Sequence, residues 1–393
     1  MNLGFYYHIP LYSATNALRV PAYIGVFLDS LATEVDNLIL LMHEANPQEA
    51  KQCDYVLKAP QIVYHTLGPK TPAWDRFLRP WKTLKKVENR VSECDILLVR
   101  APSPLAPAFH RKFCKLTKIV YLIVGDYTEG LQHLDQPWWR KLPISILTYI
   151  NDQQLSGVIS KTKAIVNSQR LFDRYEPCAC DLHLVRTTTL SQSDFYYRLD
   201  TCLGNEIKLL YTGSFSFAKG LRELIEAFSF LVYKRGNLTL HFVGWEYDSS
   251  KPVENFLKDK AAEYGIVDQV VFHGFKTLGV ELNEIYRMAD IYILPSYNEG
   301  FPRTIWEAMA NSIPVIATKV GSIPHFLKDG NDALLIEPQN SEQIVEAVLR
   351  IIENKSLRQT LIMNGYKLAG NNTLKILTSK MIAILERKLE AIQ

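Results

Sequence analysis

The chain has 393 residues, 47% of them hydrophobic, and a net charge of +3. That length favours two domains, each able to bury a core. No apolar run reaches the length of a membrane span, Met1-Asn-Leu-Gly-Phe lacks a basic region followed by an apolar one, and the six scattered cysteines include no C-x-x-C pair. A spanning helix, a leader, a disulfide framework and a zinc site are therefore not expected, and the cytoplasm or the inner face of a membrane is the expected location.

In chain order, the first half offers apolar, β-branched strand candidates at Leu3–Ile9, Asn37–Met42, Gln61–Leu67, Asp95–Val99, Lys118–Val124, Ala164–Asn167 and Leu182–Val185. The second half offers Ile207–Tyr211, Leu238–Val243, Gln269–Phe272, Asp290–Leu294, Pro314–Ala317 and Ala333–Ile336, with helical patterns such as Leu221–Tyr233 and Glu342–Ile352 between them. Continuous rather than alternating apolar runs suit parallel strands buried on both faces. The βα pattern occurs twice, so the expected fold is α/β, with two Rossmann-like domains facing across a cleft. The expected boundaries are 1–190, a polar linker over 191–205, 206–372, and a C-terminal helix after the second sheet, over 373–393.

Charge is uneven. Residues 1–190 carry 22 Lys+Arg against 17 Asp+Glu, and the remainder 22 against 24. The stretch 70–90 alone holds seven basic and two acidic residues, which accounts for the whole N-terminal excess. So local a surplus does not suit a nucleic-acid-binding protein. Trp74, Phe77, Leu78, Trp81, Leu84 and Val87 would form one helical stripe, with Arg76, Arg79, Lys82, Lys85 and Lys86 away from it and Pro80 kinking or restarting the helix. This composition suits an interfacial helix on anionic lipid, with Pro137-Trp-Trp-Arg-Lys141 as a possible second patch. It equally suits a packed Rossmann helix with a solvated face.

Three motifs follow strands of the second half. In Tyr211-Thr-Gly-Ser-Phe-Ser-Phe-Ala-Lys-Gly220, Gly213 permits a tight turn, and Lys219 stands near a helix start that already favours an anion. Gly244 after one strand and Phe272-His-Gly-Phe275 after the next would let a planar base approach the backbone beside aromatic rings, although strand-to-loop punctuation explains each equally well. In Asn298-Glu-Gly-Phe-Pro-Arg-Thr-Ile-Trp-Glu-Ala-Met-Ala310, Pro302 suits a first helical turn, which leaves Glu299 in the loop and Glu307 on the helix. Carboxylates there, with the N–H groups of Gly300 and Phe301, can hold the hydroxyls of a ribose or hexose. Glu307 reads alternatively as an acid stabilising its own helix.

Together, and above all in EGFPRTIWEAMANSIPVIATKVGSIPHFLKDGNDALLIEP, these motifs resemble the retaining family 4 glycosyltransferases of the GT-B fold. The resemblance is strong over 205–340, moderate over 118–200 and weak over 1–115. It implies that Lys219 binds a donor diphosphate, that Glu307 binds the nucleotide ribose, and that Glu299 with Gly300, Phe301 and Pro302 holds the donor sugar. Gly321 and Ser322 match the loop that closes over the site. The usual Arg after Gly213 is Ser214 here, which removes one cationic contact; Arg303, Arg19 or a helix terminus would have to compensate. With no Asp-x-Asp motif, neither a metal nor another cofactor is expected. Asp126, after strand Lys118–Val124, takes the position where related enzymes often carry a His facing the reacting sugar; it would orient an acceptor hydroxyl or take its proton, or else merely cap its loop. His8, at another strand end, is a weaker candidate.

The expected function is transfer of a sugar from a nucleotide-sugar, UDP- or GDP-linked, to a glycan or lipid-linked acceptor with retention, in cell-surface polysaccharide assembly. A nucleotide-sugar epimerase of the same architecture and a non-catalytic sugar-nucleotide-binding partner stay open, the second because of Ser214.

Overall fold

The computed structural model describes residues 1–14, 17–125, 138–186, 188–246 and 248–387. The chain divides into two units, one of residues 1–189 with 374–393 and one of residues 190–373.

In the first unit the strands are β1 (Asn2–Ala14), β2 (Ala17–Val20), β3 (Asn37–Glu44), β4 (Tyr55–Val56), β5 (Ile62–Pro69), β6 (Ile96–Ala101), β7 (Lys118–Ile123), β8 (Lys163–Val166) and β9 (Asp181–Leu184). The main sheet runs β5-β3-β1-β6-β7-β8-β9, all parallel. Only β2 pairs antiparallel, with the end of β1 and with β4. The central strands are apolar on both faces because helices cover both. Leu3, Phe5, Leu38 and Leu40 lie in one core, and Tyr6, Leu41, Leu97 and Val99 in the other.

The second unit carries β10 (Ile207–Ser214), β11 (Leu238–Trp245), β12 (Val270–Phe272), β13 (Ile291–Leu294), β14 (Val315–Thr318) and β15 (Leu334–Ile336). Their order is β12-β11-β10-β13-β14-β15, again all parallel. Counted within the unit this is 3-2-1-4-5-6, the doubly wound order of the Rossmann fold. Its switch point lies between β10 and β13, where such sheets bind ligands beyond the strand carboxyl ends.

Two expectations about organisation meet different geometry. Residues 191–205 pack into the second unit rather than standing apart. Asp200 is bound by the buried Arg358 guanidinium at 2.6 and 3.1 Å, and Asp194 accepts from Asn283 at 2.8 Å. The C-terminal helix Leu374–Glu386 packs into the core of the first unit, not beside the second.

Candidate functional site

The loops leaving β10 and β13 meet at the switch point. After β10 the chain makes a single 3-10 turn, Phe217–Lys219, and then enters helix Leu221–Arg235 through Gly220. Gly220 has φ +68°, and a Cβ there would overlap the carbonyl oxygen of Pro295. Only glycine lets the backbones come this close. Tyr297 N–H donates to the Ala218 carbonyl at 2.8 Å across the same seam.

This contact brings together two residues eighty positions apart. Lys219 Nζ donates to Glu299 Oε1 at 2.6 Å. Ser296, fully buried, donates its hydroxyl to the same oxygen at 2.8 Å, while its carbonyl accepts from Thr318 Oγ1 at 2.6 Å. The carboxylate is therefore aimed by a cation and a hydroxyl. Glu299 retains 11% side-chain exposure and Lys219 25%, so both remain reachable by a ligand.

The next turn is fixed from two sides. Phe301 stacks on Trp306 at 4.5 Å and meets Phe326 edge-on at 5.1 Å. Ser322 N–H donates to the Gly300 carbonyl at 2.9 Å, and a Cβ on Gly321 (φ +54°) would overlap the Glu299 carbonyl oxygen. Pro302 stands at the N-cap of helix Arg303–Ala310, one place before its first turn, and no side chain caps that helix. Its opening N–H groups thus lie beside Glu299 as donors for an anion or a hydroxyl.

Glu307 lies on the same helix and is only 9% exposed. Tyr286 donates its hydroxyl to Glu307 Oε2 at 2.8 Å. The Tyr286, Thr212 and Tyr292 hydroxyls link behind it at 2.7 and 3.2 Å. Glu307 thus belongs to a buried polar network, not to the solvated first turn of a helix.

At the other side of the switch point β10 and β11 end together. Gly213 and Gly244 are paired residues, and a Cβ on Gly244 would strike the Gly213 carbonyl. Ser214 ends β10; its carbonyl accepts from Tyr211 Oη at 2.9 Å. Phe275, 57% exposed, meets Trp245 edge-on at 5.5 Å, so an open aromatic corner follows Gly244. Arg303 opens its helix in this unit, whereas Arg19 is on β2 of the first unit and exposed.

Asp126 lies outside the described residues. The basic stretch is reorganised. Residues 73–87 form two short helices, Ala73–Leu78 and Pro80–Leu84, and a 3-10 turn. Arg79, forced out of helical geometry ahead of Pro80, stands at φ −125° and ψ 50°. The expected single stripe is therefore broken. Leu84 and Val87 are buried, while Trp74, Leu78 and Trp81 are exposed. Arg79, Lys82 and Lys85 point outward, but Arg76 is 5% exposed and Lys86 donates to the Leu67 carbonyl at 3.2 Å. Arg76 is thus not part of a solvated basic face, while Lys86 stays exposed with its ammonium tied to the β5 end. Among the described residues, no group of three or more His, Cys, Asp or Glu is placed to hold a metal ion, and no helix is long and apolar enough to cross a membrane.

Sequence reasoning missed Ser296 and Tyr286. Ser296 sits two residues beyond β13, a position from which a hydroxyl can turn back into the loop; nothing in the sequence pairs Tyr286 with Glu307 across 21 residues.

Residues 203–368 match the family described as glycosyl transferases group 1. The chain is 28% identical over 311 residues to Protein CapJ of Staphylococcus aureus, covering 78% of this chain and 75% of that protein. It is 28% identical over 179 residues to the capsular polysaccharide biosynthesis glycosyltransferase CapM of the same species, covering 45% of this chain and 44% of that protein. The crystal structure of Anabaena Alr3699/HepE in complex with UDP superposes with a TM-score of 0.72 at 17% identity, over 98% of this chain and 99% of that one. The fold is therefore GT-B. The match to the glycosyl transferases group 1 falls wholly within the second unit.

Proposed function

We propose that this protein transfers a sugar from a nucleotide-sugar to a glycan or lipid-linked acceptor with retention of configuration and without a metal, in the assembly of a cell-surface polysaccharide. The observation that carries this is the Lys219–Glu299 pair at 2.6 Å, held at the switch point of a 3-2-1-4-5-6 parallel sheet. A lysine supplies the charge that a leaving diphosphate needs, the uncapped helix after Pro302 adds donors, and the fixed Glu299 carboxylate accepts from sugar hydroxyls. Glu307, buried behind them, suits the ribose. The Gly244 edge with Trp245 and Phe275 suits the base. The UDP named with the HepE structure makes uridine the first base to test.

Thermal shift with UDP-, GDP- and ADP-sugars tests the donor site. One of them raises the unfolding temperature of the wild type and not of Lys219→Ala, since a ligand that binds only the folded state stabilises it by mass action. No shift with any of them overturns the reading. Donor epimerised or hydrolysed without acceptor would favour an epimerase instead. Activity unchanged by excess chelator is expected, and loss of activity refutes metal independence.

The first unit also presents a face suited to an anionic membrane. Helix Trp138–Ile159 exposes Trp139, Leu142, Ile146 and Tyr149 at helical spacing, and it packs against Ala73–Leu78, which exposes Trp74 and Leu78. Arg79, Lys82 and Lys85 supply charge nearby. Aromatic and aliphatic side chains flanked by cations insert at a headgroup boundary. Cosedimentation with anionic but not neutral vesicles is the expected result; equal binding to both, or to neither, removes this part of the reading.

A further inference from the structure

The first unit gathers nitrogen-bearing side chains near the carboxyl ends of β3 and β6 and just past Tyr7 of β1, where the regular parallel pairing of β1 with those strands ends. His8 lies on β1, His43 on β3 and Arg100 on β6, three neighbouring parallel strands. Lys70 and Arg76 come from the segment after β5. His43 is 1% exposed; its Nδ1 is 3.2 Å from the Gly68 carbonyl, and its Nε2 is buried with no hydrogen-bond partner among the described residues. His8 Nδ1 is likewise buried and unmet. Arg76 donates from Nε to the Thr71 carbonyl at 3.0 Å, but its Nη1 is buried without a partner, and no carboxylate among the described residues pairs with it. Lys70 pairs with Glu49 at 3.3 Å.

These groups disfavour one another's charge. Burial first, then the charges of Lys70, Arg76, Arg100 and His43, hold His8 down to about 3. Burial, Arg76, Lys70 and Lys86 hold His43 down to about 4, against a smaller upward pull from the Gly68 carbonyl. A guanidinium stays charged under these conditions, so a buried one with an unmet donor is costly unless an anion comes to it. Three elements converge at this end of the sheet, each with a buried nitrogen that has no partner among the described residues: Arg76 Nη1 lacks an acceptor, whereas His43 Nε2, with Nδ1 set against the Gly68 carbonyl, must take up a proton to meet an anion or accept one from a ligand hydroxyl. A parallel sheet places its ligand at this end.

We infer that His8, His43 and Arg76 line an oxyanion site in the first unit, and that it takes a phosphate group carried by the acceptor. The assignment to the acceptor rests on the glycosyltransferase reading above; the anion site does not. Phosphate fits better than carboxylate because its several oxygens can meet groups from different directions, Arg76 Nη1 donating to one and a ring nitrogen of His8 or His43 sharing the proton of another. The site would also account for the buried Arg76 within the basic surplus between residues 70 and 90, with Lys70 paired to Glu49 beside it.

The test uses the full chain with inorganic phosphate, glucose 1-phosphate and glucuronate as probes. Histidine-ring NMR of the wild type follows His8 and His43 directly. Phosphate is expected to shift both rings and to raise their titration, because an anion opposes the effects of burial and of Lys70, Arg76, Arg100 and Lys86. Rings that ignore phosphate overturn the site. Arg76→Gln is expected to weaken phosphate about tenfold or more while leaving UDP stabilisation intact, and Lys219→Ala the reverse. Phosphate binding abolished by Lys219→Ala and untouched by Arg76→Gln would place the anion in the second unit only and overturn the proposal. If Arg76→Gln does not fold, the wild-type ring shifts and a His43→Gln variant decide the same question. Glucose 1-phosphate binding more tightly than inorganic phosphate supports a carried phosphate; the opposite order means a free-anion site, and glucuronate binding most tightly means a carboxylate, and either overturns the acceptor assignment. Failure of every nucleotide-sugar to stabilise the chain would remove the donor reading and leave the ring measurements valid.

Discussion

Glu299 and Lys219 stood out in sequence because each follows a strand, and the family resemblance supplied the roles expected of them. Their 2.6 Å contact did not, since it depends on Gly220 admitting the Pro295 carbonyl. Lys219 and Glu299 satisfy each other, so on the proposed reading a donor diphosphate would have to draw the ammonium away from the carboxylate. Being partly exposed, the pair contributes little to folding, about 1 kcal/mol or less. Lys219→Ala should therefore leave the denaturation midpoint almost unchanged while slowing transfer by about 10²–10³-fold, the usual effect of removing one preorganised charge-stabilising group. Steady-state rates beside denaturant melts check this; a large stability loss with intact turnover would show the lysine to be structural. Ser214 belongs to the same scale: its carbonyl is engaged by Tyr211, and its short side chain would offer a proposed donor diphosphate one cation fewer.

At the scale of elements, the thirteen parallel strands were readable because most are apolar runs covered by helices and recur in a βα series. The antiparallel β2 and β4 were not, since Ala-Leu-Arg-Val and Tyr-Val are neither continuous apolar runs nor part of that series. The basic helix failed for a different reason: a helical wheel presumes one axis, and Pro80 makes two. Loop contacts are equally invisible in sequence, and Gly321 shows their cost. Its φ of +54° and its approach to the Glu299 carbonyl both exclude a side chain. Gly321→Ala should destabilise the second unit by about 1–3 kcal/mol and weaken donor binding by displacing the Glu299 loop. Calorimetry with and without UDP reads both, and an unchanged donor affinity would uncouple the two loops. The β11–β12 edge adds a pH dependence. His241 Nδ1 and His273 Nε2 are hydrogen-bonded at 2.9 Å, so one ring donates, the other accepts, and both are neutral. Burial, then His273 and Lys208, lower His241 from 6.5 to about 4, and burial and Lys276 lower His273 as well. The unfolded chain therefore binds more protons. Stability should be level above pH 6.5 and fall as pH drops from 6.5 toward 4, by about 3 kcal/mol from His241. A midpoint that is flat across this range in urea melts would contradict it, and His241→Gln should reduce the slope.

At the scale of the molecule, the two sheets could be read from the doubled βα series, but not the destination of the last helix. An apolar stripe says that a helix is covered, not by which core. Helix Leu374–Glu386 returns to the first unit, where Leu374, Leu377, Met381, Ile382, Ile384 and Leu385 are buried. Two lysines of that sheet close its end: Lys163, 1% exposed, donates to the Ile384 carbonyl at 2.8 Å, and Lys118 to the Leu385 carbonyl at 2.6 Å. Cations at a helix carboxyl end meet both unpaired carbonyls and the dipole. Six buried apolar side chains contribute on the order of 10 kcal/mol, which equals the whole net stability of an ordinary domain at about 5–15 kcal/mol. Removing the helix also leaves Lys163 with Asp181 alone, 3.2 Å away. The buried core of the second unit ends at Ala369, before this helix. A chain ending at Thr373 should therefore lose the calorimetric transition of the first unit and keep that of the second, still raised by UDP. Two surviving transitions would mean that the first sheet holds without its last helix. Loss of both would mean that the second unit cannot fold alone, and that the covalent order of the chain hides a single cooperative body.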